Sequence, residues 1–269
     1  MADIDWPLLS LCVGVSVAVG LLIYHGVAGY YHLRYYTLRR DEPQLWKCQP
    51  KRFLTPKQHR TAVLLGSANM TLGGVLSGAV IYLIARGMET PIFYDVADYG
   101  WVYVIASTLG LFVLMDAIAY YVHRLLHVRF LFRALHRHHH KYVATSPYVV
   151  TALHPLELVL LQAATLAPVF FIPFHAASIG AVLVYVLIFN IVDHSGVRLT
   201  SSLPWQGPSM YHDDHHAHFH VNFGQHLMIW DRLHGTLRVP GRTYGRNIFG
   251  GKGAPQPKGK RIVEEFNGY

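Results

Sequence analysis

Long stretches without a charged side chain dominate this sequence. Residues 7–24 and 62–85 contain no Asp, Glu, Lys or Arg, and residues 101–122 contain only Asp116. A helix needs roughly 17 to 25 apolar residues to cross about 30 Å of hydrocarbon, and each stretch meets that length. We therefore predict three transmembrane helices rather than buried helices of a water-soluble core.

A fourth uncharged stretch covers 35 positions, residues 158–192, and is interrupted at Pro173, Phe174 and His175. A single helix of that length would overshoot the bilayer. We expect a tight hairpin of two short helices, with buried core helices as the alternative. The hairpin either crosses the membrane twice, which gives five crossings, or re-enters from one side, which gives three.

The composition agrees with a membrane protein. Of the 269 residues, 52% are hydrophobic and 14% are charged, whereas an average soluble domain has about 25% charged residues. An ordinary cytosolic enzyme is therefore not expected, and intrinsic disorder is excluded. The two cysteines, Cys12 and Cys48, cannot build a disulfide framework or a thiolate zinc site.

Basic residues indicate the side of the membrane on which each loop lies. Eight Lys and Arg residues lie between Arg34 and Arg60, whereas residues 87–100 contain acids and no base. By the positive-inside rule the first of these loops is cytoplasmic and the second is not. Residues 1–5 lack the basic segment of a cleaved signal peptide, so we expect the first span to remain as an anchor with its N-terminus outside.

This topology places residues 123–154, and everything from His194 onward, on the cytoplasmic side. The chain is thus expected to be a multi-pass integral membrane protein, in the endoplasmic reticulum of a eukaryote or the inner membrane of a bacterium. Its net charge of +8 fits loops that lie beside anionic lipid. We predict the bilayer, and no nucleic acid, as its partner.

Histidine is enriched and clustered. The chain has 19 histidines, of which 16 lie between His123 and His234. An HxxxH pair and two HxxHH triplets are formed by His123, His127, His136, His139, His140, His212, His215 and His216. Positions i, i+3 and i+4 share one helix face, so each cluster can direct its imidazoles to one point. Converging neutral imidazoles bind transition metals.

The number of histidines favours two metal ions. A structural zinc takes four ligands and a catalytic zinc takes three, whereas the clusters offer eight imidazoles and His194 offers a ninth. Two adjacent metals, each with an open position, would use them. A metal transporter or storage protein is an alternative of a different class, although its ligands would lie near the bilayer midplane. A structural membrane protein with incidental histidines is a third.

Further polar residues near these clusters are interpreted as outer groups. Asp116 shares a helical stripe with His123 and His127, and a carboxylate inside a span costs about 2.5 to 3.5 kcal/mol. Asp116 and Asp213 are therefore expected either to orient a ligand histidine or to be hydrated. The surplus histidines are expected at the surface or behind the ligands; they are His138, His218, His220, His226 and His234.

These residues resemble the sterol desaturase and fatty acid hydroxylase superfamily, whose pattern is HxxxH, HxxHH and a late HxxHH. The resemblance covers residues 116–238. It includes His154-Pro-Leu-Glu157 before the hairpin, His194-Ser-Gly196 after it, and Asn222-Phe-Gly-Gln225 followed by Trp230-Asp-Arg-Leu233.

The resemblance implies two non-haem iron ions, held by histidines at the cytoplasmic face, that use O2 to attack an unactivated C–H bond. An unactivated C–H bond requires a redox metal because acid or base chemistry cannot break it. The implied ligands are His123, His127, His136, His139, His140, His194, His212, His215 and His216. Asn222 is expected to hold a metal-bound water.

Within the superfamily the chain looks most like the sterol C-5 desaturases, through Thr145-Ser-Pro-Tyr148 and the residues from Asn222 to Leu233. His194-Ser-Gly196 and His154-Pro-Leu-Glu157 instead resemble the sterol C-4 methyl oxidases and the sterol or fatty acyl hydroxylases. Desaturation and hydroxylation share the first hydrogen abstraction. The motifs therefore favour a sterol-type lipid as substrate and leave the reaction outcome open.

The predicted fold is all-α: a polytopic membrane helical bundle with a cytoplasmic histidine-rich cap that holds a dimetal centre. Residues 1–100 are expected to form the N-terminal helices and basic loop, residues 101–240 the catalytic domain, and residues 241–269 a basic tail.

Two external electrons are needed for each O2 consumed, and the sequence has no GxGxxG after a strand, no haem-binding segment and no FAD-type segment. Electrons from NAD(P)H must then arrive through a separate carrier. The resemblance suggests cytochrome b5 with its reductase in a eukaryote, or ferredoxin in a bacterium. Residues 34–60 and 252–261 are basic and would dock an acidic donor or lie near anionic lipid.

Overall fold

A computed structural model describes residues 3–201, 203–238, 242–243 and 254–255 of the chain. Within these residues the fold is a bundle of long helices with short helices gathered at one end, as the sequence predicts. The long helices are α1 (Trp6–Tyr31), α3 (Pro56–Ala85), α4 (Gly100–Leu126), α7 (Pro155–Leu166) and α8 (Ala176–Asp193).

The three predicted transmembrane helices are confirmed as α1, α3 and α4. Asp5 caps the start of α1 by accepting a hydrogen bond from Leu8 N, and Thr55 with Gln58 forms a capping box at the start of α3. α1 continues beyond the predicted stretch as a π-helical segment, His32–Thr37. The described residues include four helices long and apolar enough to cross a membrane: α1 with its extension, α3, α4 and α8.

The predicted hairpin is also confirmed. α7 continues as a 3₁₀ turn, Ala167–Phe170, and the chain reverses before α8 begins. The reversal lies beside the loop between α3 and α4, since Phe93 N donates to Phe174 O and Ala176 N donates to Phe93 O. The turn of the hairpin therefore lies at the end of the bundle where α3 ends and α4 begins. Of its two helices, only α8 is among the four described helices that are long and apolar enough to cross a membrane.

α1 and α3 lie unusually close together because glycines line their contact. A Cβ atom added at Gly78 would lie 2.5 Å from the Cα of Val13, and one added at Gly74 would lie 2.7 Å from the Cα of Val17. Such distances leave no room for a side chain, so the two helix backbones are in direct contact.

The short elements lie at the end of the bundle where α1, α4 and α8 finish and α3 begins. Buried contacts join Tyr24 and Ala28 of α1 to Val150 and to Ile191 of α8 there. The short helices there are α2 (Pro43–Trp46), α5 (Arg129–Leu131), α6 (Arg137–His140), α9 (Ser209–His218) and α10 (Ile229–His234), with a π-helical segment Phe132–His136 and a 3₁₀ turn Pro147–Val149. Another 3₁₀ turn, Val96–Asp98, lies at the opposite end, between α3 and α4.

Two strands of two residues each, β1 (Arg242–Thr243) and β2 (Ala254–Pro255), pair antiparallel with Arg242 opposite Pro255. They do not alter the all-α class. The predicted basic tail, apart from these strands, lies outside the described residues.

Candidate metal centre

The ends of two long helices and three short segments bring the clustered histidines together. α4 with its C-terminal cap, the π-helical segment, α6, the cap of α8, and α9 each contribute. In chain order the residues are His123, His127, His136, His139, His140, His194, His212, His215 and His216, and all nine are buried. They form two separate groups.

The first group contains five imidazoles, one ligand nitrogen of each lying within 4.8 Å of all the others: His123, His127, His136, His140 and His215. His136 Nε2 lies 3.1 Å from His123 Nε2 and 3.0 Å from His140 Nε2. His215 Nε2 lies 3.1 Å from His140 Nε2. We call this set the five-histidine group.

The second group contains four imidazoles under the same 4.8 Å limit: His139, His194, His212 and His216. His194 Nε2 lies 2.9 Å from His212 Nε2 and 3.2 Å from His139 Nε2. We call this set the four-histidine group. His139 and His140 are neighbours in the chain, so α6 supplies one ligand to each group and holds the two groups side by side.

Hydrogen bonds on the outer nitrogens fix the tautomer of several of these rings. The Nδ1 atoms of His123, His215 and His194 lie 2.7, 2.6 and 2.7 Å from the carbonyl oxygens of Phe223, Val221 and Asn190. A carbonyl oxygen only accepts, so each Nδ1 carries the hydrogen and each Nε2 presents a lone pair. The facing Nε2 atoms therefore repel one another unless a cation lies between them.

The donor set fits two transition-metal ions, one in each group. An imidazole nitrogen lies about 2.1 Å from a bound first-row metal. Two nitrogens bound to the same metal at an angle of about 90° are therefore about 3.0 Å apart. The Nε2 separations of 2.9 to 3.2 Å match this spacing. Both ring nitrogens of His127 are also buried without a hydrogen-bond partner among the described residues, as expected for a metal ligand.

Burial keeps these imidazoles uncharged. It lowers the pKa of His194 to about 4. It also lowers the pKa values of His139 and His212 well below the ordinary value of 6.5, and neighbouring imidazoles add to the effect. Neutral rings at pH 7 leave their lone pairs available for a metal.

Glu157 is a site residue to which the sequence analysis gives no role. Its Oε1 lies 2.5 Å from His136 Nδ1, and both side chains are buried. A carboxylate in this position holds the tautomer and orientation of a metal-ligating histidine and raises its basicity. Glu157 occupies the first turn of α7, three residues after its cap His154. An acid in the first turn of an otherwise apolar helix is the sequence signal that identifies it.

The expected role of Asp116 is wrong. Its carboxylate accepts hydrogen bonds from His226 N, Leu227 N and Trp230 Nε1 at 2.9, 3.2 and 2.7 Å rather than from a ligand imidazole. Helical side chains lean toward the N-terminus, and His123 lies about 10 Å further along α4. Asp116 therefore orients the segment that follows the last histidine triplet.

Asp213 and Asn222 also contact other groups than those predicted. Asp213 accepts from Thr145 Oγ1 at 2.5 Å and from Gln49 Nε2 at 3.0 Å, because its position in α9 turns it away from the flanking ligands. Asn222 donates to Tyr211 O at 2.9 Å and accepts from Arg238 N at 2.8 Å, so both ends of its amide bind the backbone. Both residues fix the loops around the site.

The surplus histidines lie outside both groups, as predicted. They are not all superficial, since His226 is buried to 1% exposure. His226 also lines the cavity that leads to the metal centre.

A cavity of about 510 Å³ lies between the long helices and ends at the histidines. His123 and His136 of the five-histidine group and His139, His194 and His212 of the four-histidine group line one end. Along α3 the wall extends from Asn69 to Ile81, a distance of about 18 Å. The remaining wall is mostly apolar, with leucines from α7 and α8. The volume lies within the range that small-molecule sites have.

Comparison with known proteins agrees with this geometry. Residues 108–236, which include all nine clustered histidines, match the family model described as fatty acid hydroxylase. Lathosterol oxidase from Rattus norvegicus is 28% identical over 170 residues, which are 62% of this chain and 57% of the relative. The same enzyme from Homo sapiens is 29% identical over 203 residues, 72% of this chain and 66% of the relative.

A Delta(7)-sterol 5(6)-desaturase from Schizosaccharomyces pombe is 31% identical over 180 residues, 66% of this chain and 59% of the relative. The chain thus spans between half and two thirds of the length of these curated relatives. No solved structure matches it.

Proposed function

We propose that this chain is a membrane-bound non-haem diiron oxidase, since residues 108–236 match the family model described as fatty acid hydroxylase. It would use O2 and two external electrons to oxidise an unactivated C–H bond of a sterol-type lipid. Desaturation like that of the sterol C-5 desaturases is the proposed reaction, since lathosterol oxidases and Delta(7)-sterol 5(6)-desaturases are among its relatives.

The observation that carries this proposal is the pair of adjacent imidazole groups at one end of a mostly apolar cavity. Two iron ions held there would supply the oxidising power that an unactivated C–H bond requires. The groups lie at the ends of α4 and α8 rather than at mid-helix, which favours an enzyme over a metal transporter.

The chain's own residues orient the ligand imidazoles and keep water away from the reacting end of the cavity. Glu157 fixes the ring of His136, and the carbonyls of Phe223 and Val221 fix the rings of His123 and His215. The apolar walls exclude water from the reacting end. A substrate whose target carbon meets the histidines would thus be held in a dry, narrow site.

The apolar cavity and the membrane helices support a lipid substrate that enters from the bilayer. The histidine end is proposed to face the cytoplasm, because the basic segment between α1 and α3 belongs to that side under the positive-inside rule. A separate carrier, cytochrome b5 with its reductase or a ferredoxin, is proposed to deliver electrons from NAD(P)H there.

Lipid analysis tests the proposal. The wild-type chain and His139→Ala would be expressed in a host that lacks sterol C-5 desaturase, and the sterols analysed by mass spectrometry. We expect the 5(6)-desaturated sterol with the wild type alone. Hydroxylated or demethylated products would instead identify a hydroxylase or a C-4 methyl oxidase of the same family. An unchanged sterol pool would contradict the proposal.

A further inference from the structure

A lysine is fully buried at the end of the bundle that holds the histidines. Lys47 is 0% exposed, and the proposed reaction does not use it. Its ammonium nitrogen lies 5.0 Å from the ring centre of Tyr36, 5.3 Å from that of Phe53 and 5.9 Å from that of Trp46. Aromatic faces attract a cation, so these three rings form a cage around the ammonium group. A buried cation is nevertheless costly unless it is also hydrogen-bonded.

Hydrogen bonds connect this ammonium group to two backbone carbonyl groups. Lys47 Nζ donates to Tyr36 Oη at 3.1 Å and to Thr145 O at 3.4 Å. Tyr36 Oη lies 2.8 Å from Ser195 O and 2.9 Å from Thr145 O. A tyrosine hydroxyl group has a single hydrogen, so it cannot donate fully to both carbonyl oxygens. Because Lys47 donates to Thr145 O, the hydrogen of Tyr36 is left for Ser195 O.

Both carbonyl groups belong to segments that are tied to the four-histidine group. Ser195 follows His194 in the chain, so its carbonyl is one residue away from a ligand. Thr145 Oγ1 donates to Asp213 Oδ1 at 2.5 Å, and Asp213 follows the ligand His212 in α9. The contacts of Lys47 and Tyr36 therefore reach two of the four ligands through one intervening residue or one hydrogen bond.

The backbone on either side of Lys47 binds the segment that follows α8. Cys48 N donates to Gly196 O at 2.9 Å, and Arg198 N donates to Trp46 O at 2.6 Å. These two bonds bracket Lys47 in the chain. They hold its side chain in place against the two carbonyl groups, so the ammonium group does not have to order itself when a metal binds.

We propose that Lys47 is a positioning residue for the four-histidine group: it directs the hydroxyl hydrogen of Tyr36 to Ser195 O and so holds His194 in its ligand position. This inference rests on the proposed function, which assigns a metal ion to these histidines. Lys47 and Tyr36 lie outside residues 108–236, which match the family model. The four-histidine group thus depends on a part of the chain that the family model does not include.

Metal affinity tests this role apart from catalysis. The purified full chain would be loaded with iron in lipid nanodiscs, and iron release would be measured by competition with a chelator. Lys47→Met keeps an apolar side chain but removes the charge and the donors, so one buried carbonyl oxygen loses its partner. Such a loss corresponds to about a tenfold change in affinity. We expect the four-histidine group to bind iron about tenfold more weakly in Lys47→Met and in Tyr36→Phe.

The five-histidine group should change little in these variants. The carbonyl oxygens of Phe223 and Val221, which belong to a different loop, hold the rings of His123 and His215. Mössbauer spectra of the iron-loaded Lys47→Met variant should accordingly show one altered iron signal and one unchanged signal.

Ligand variants identify which group is affected. In a His127→Ala background only the four-histidine group keeps all its ligands, and Lys47→Met should weaken that iron about tenfold. In a His216→Ala background the complete group is the five-histidine group, and Lys47→Met should have little effect. Equal weakening in the two backgrounds would show that Lys47 only stabilises the fold and would overturn the proposal, as would no weakening in either.

Two matched controls accompany these variants. Tyr142→Phe removes a buried hydroxyl group that has no hydrogen-bond partner among the described residues, and Lys51→Met removes an exposed lysine of the same segment. Both should keep the wild-type affinities, and a loss as large as that in Lys47→Met would refute the inference. Melting temperatures after chelation verify folding, and Tyr36→Phe decides the test should Lys47→Met not fold. A wild type that binds fewer than two irons would contradict the proposed function, whereas two irons with no effect of Lys47→Met would refute this inference alone.

Discussion

At the scale of single residues, the metal centre depends on which ring nitrogen carries hydrogen. Carbonyl oxygens hold the Nδ1 hydrogens of His123, His194 and His215, and Glu157 holds that of His136. Every one of these contacts directs Nε2 inward. The ligand geometry thus exists before any metal binds, which lowers the cost of ordering the site.

Removing the negative charge of the acceptor that faces His136 Nδ1 tests this arrangement. Glu157→Gln keeps the size of the side chain but removes its charge, so His136 becomes a weaker and less well-oriented ligand. We expect iron affinity of the five-histidine group to fall about 10- to 100-fold, measured by competition with a chelator. Glu89→Gln changes an exposed acid at the other end of the bundle and should leave affinity unchanged; equal affinity in the two variants would refute the role of Glu157.

Acid should destabilise the metal-stripped protein. In the folded chain the pKa of His194 is about 4, whereas in the unfolded chain it has its ordinary value of about 6.5. Protons therefore bind the unfolded state preferentially, and folded-state stability is lost as the pH falls from about 6.5 to about 4. The melting temperature, recorded in detergent after chelation, should decrease across that window. A flat profile would contradict the neutral burial of these rings.

At the scale of elements, the loop between α9 and α10 acts as a clamp on two ligands. Asp231 accepts hydrogen bonds from Phe223 N at 3.0 Å and Gly224 N at 2.8 Å, and also from the hydroxyl groups of Tyr211 and Thr236. The same loop offers the carbonyl oxygens of Val221 and Phe223 to the histidines. A carboxylate on α10 thereby positions two rings that it does not touch.

Asp231→Asn should disturb the five-histidine group more than the four-histidine group. An amide cannot accept from all the donors that Asp231 serves, so the loop loosens and His123 and His215 lose their fixed orientation. We expect a lower melting temperature and loss of one iron before the other during chelation. Asp98→Asn, an exposed acid in a distant turn, is the control. Simultaneous loss of both irons at the wild-type rate would argue against the clamp.

Glycines set the spacing of α1 and α3. Gly78→Ala would place a methyl group 2.5 Å from the Cα of Val13 and force the helices apart, at a cost of about 1 to 3 kcal/mol. Gly14→Ala, on α1, meets nothing within 4 Å and should be neutral or slightly stabilising, because alanine favours helix. Thermal melting in detergent distinguishes the two. A Gly78→Ala variant as stable as Gly14→Ala would show that the helices are not in close contact.

Uncharged stretches are sufficient to predict the long helices, and histidine spacing is sufficient to predict eight of the nine clustered residues, because both signals are local and periodic. His194 belongs to no spaced cluster and is assigned as a ligand through the family resemblance. The partners of Asp116, Asp213 and Asn222 could not be predicted in this way. Asp116 and Asp213 bind groups far away in the chain, and Asn222 binds backbone groups 11 and 16 residues away. The direction of each side chain depends on how the elements pack. Glu157 was missed as a site residue for the same reason.

At the scale of the whole molecule, the bundle joins an apolar cavity to a polar cap. α1, α3, α4, α7 and α8 enclose an apolar space, and the short helices close it with imidazoles. The proposed reaction needs access for a lipid and a polar site for two charged metal ions. The membrane helices would admit the lipid, and the cap would hold the metal ions outside the hydrocarbon.

Metal analysis tests the central claim most directly. Mass spectrometry of the purified wild-type chain should find about two irons per chain, with fewer in His127→Ala and in His216→Ala, each of which loses a ligand from a different group. A wild-type chain that is folded and holds a single zinc, or no more than one metal of any kind, would contradict a two-iron centre built from these nine histidines.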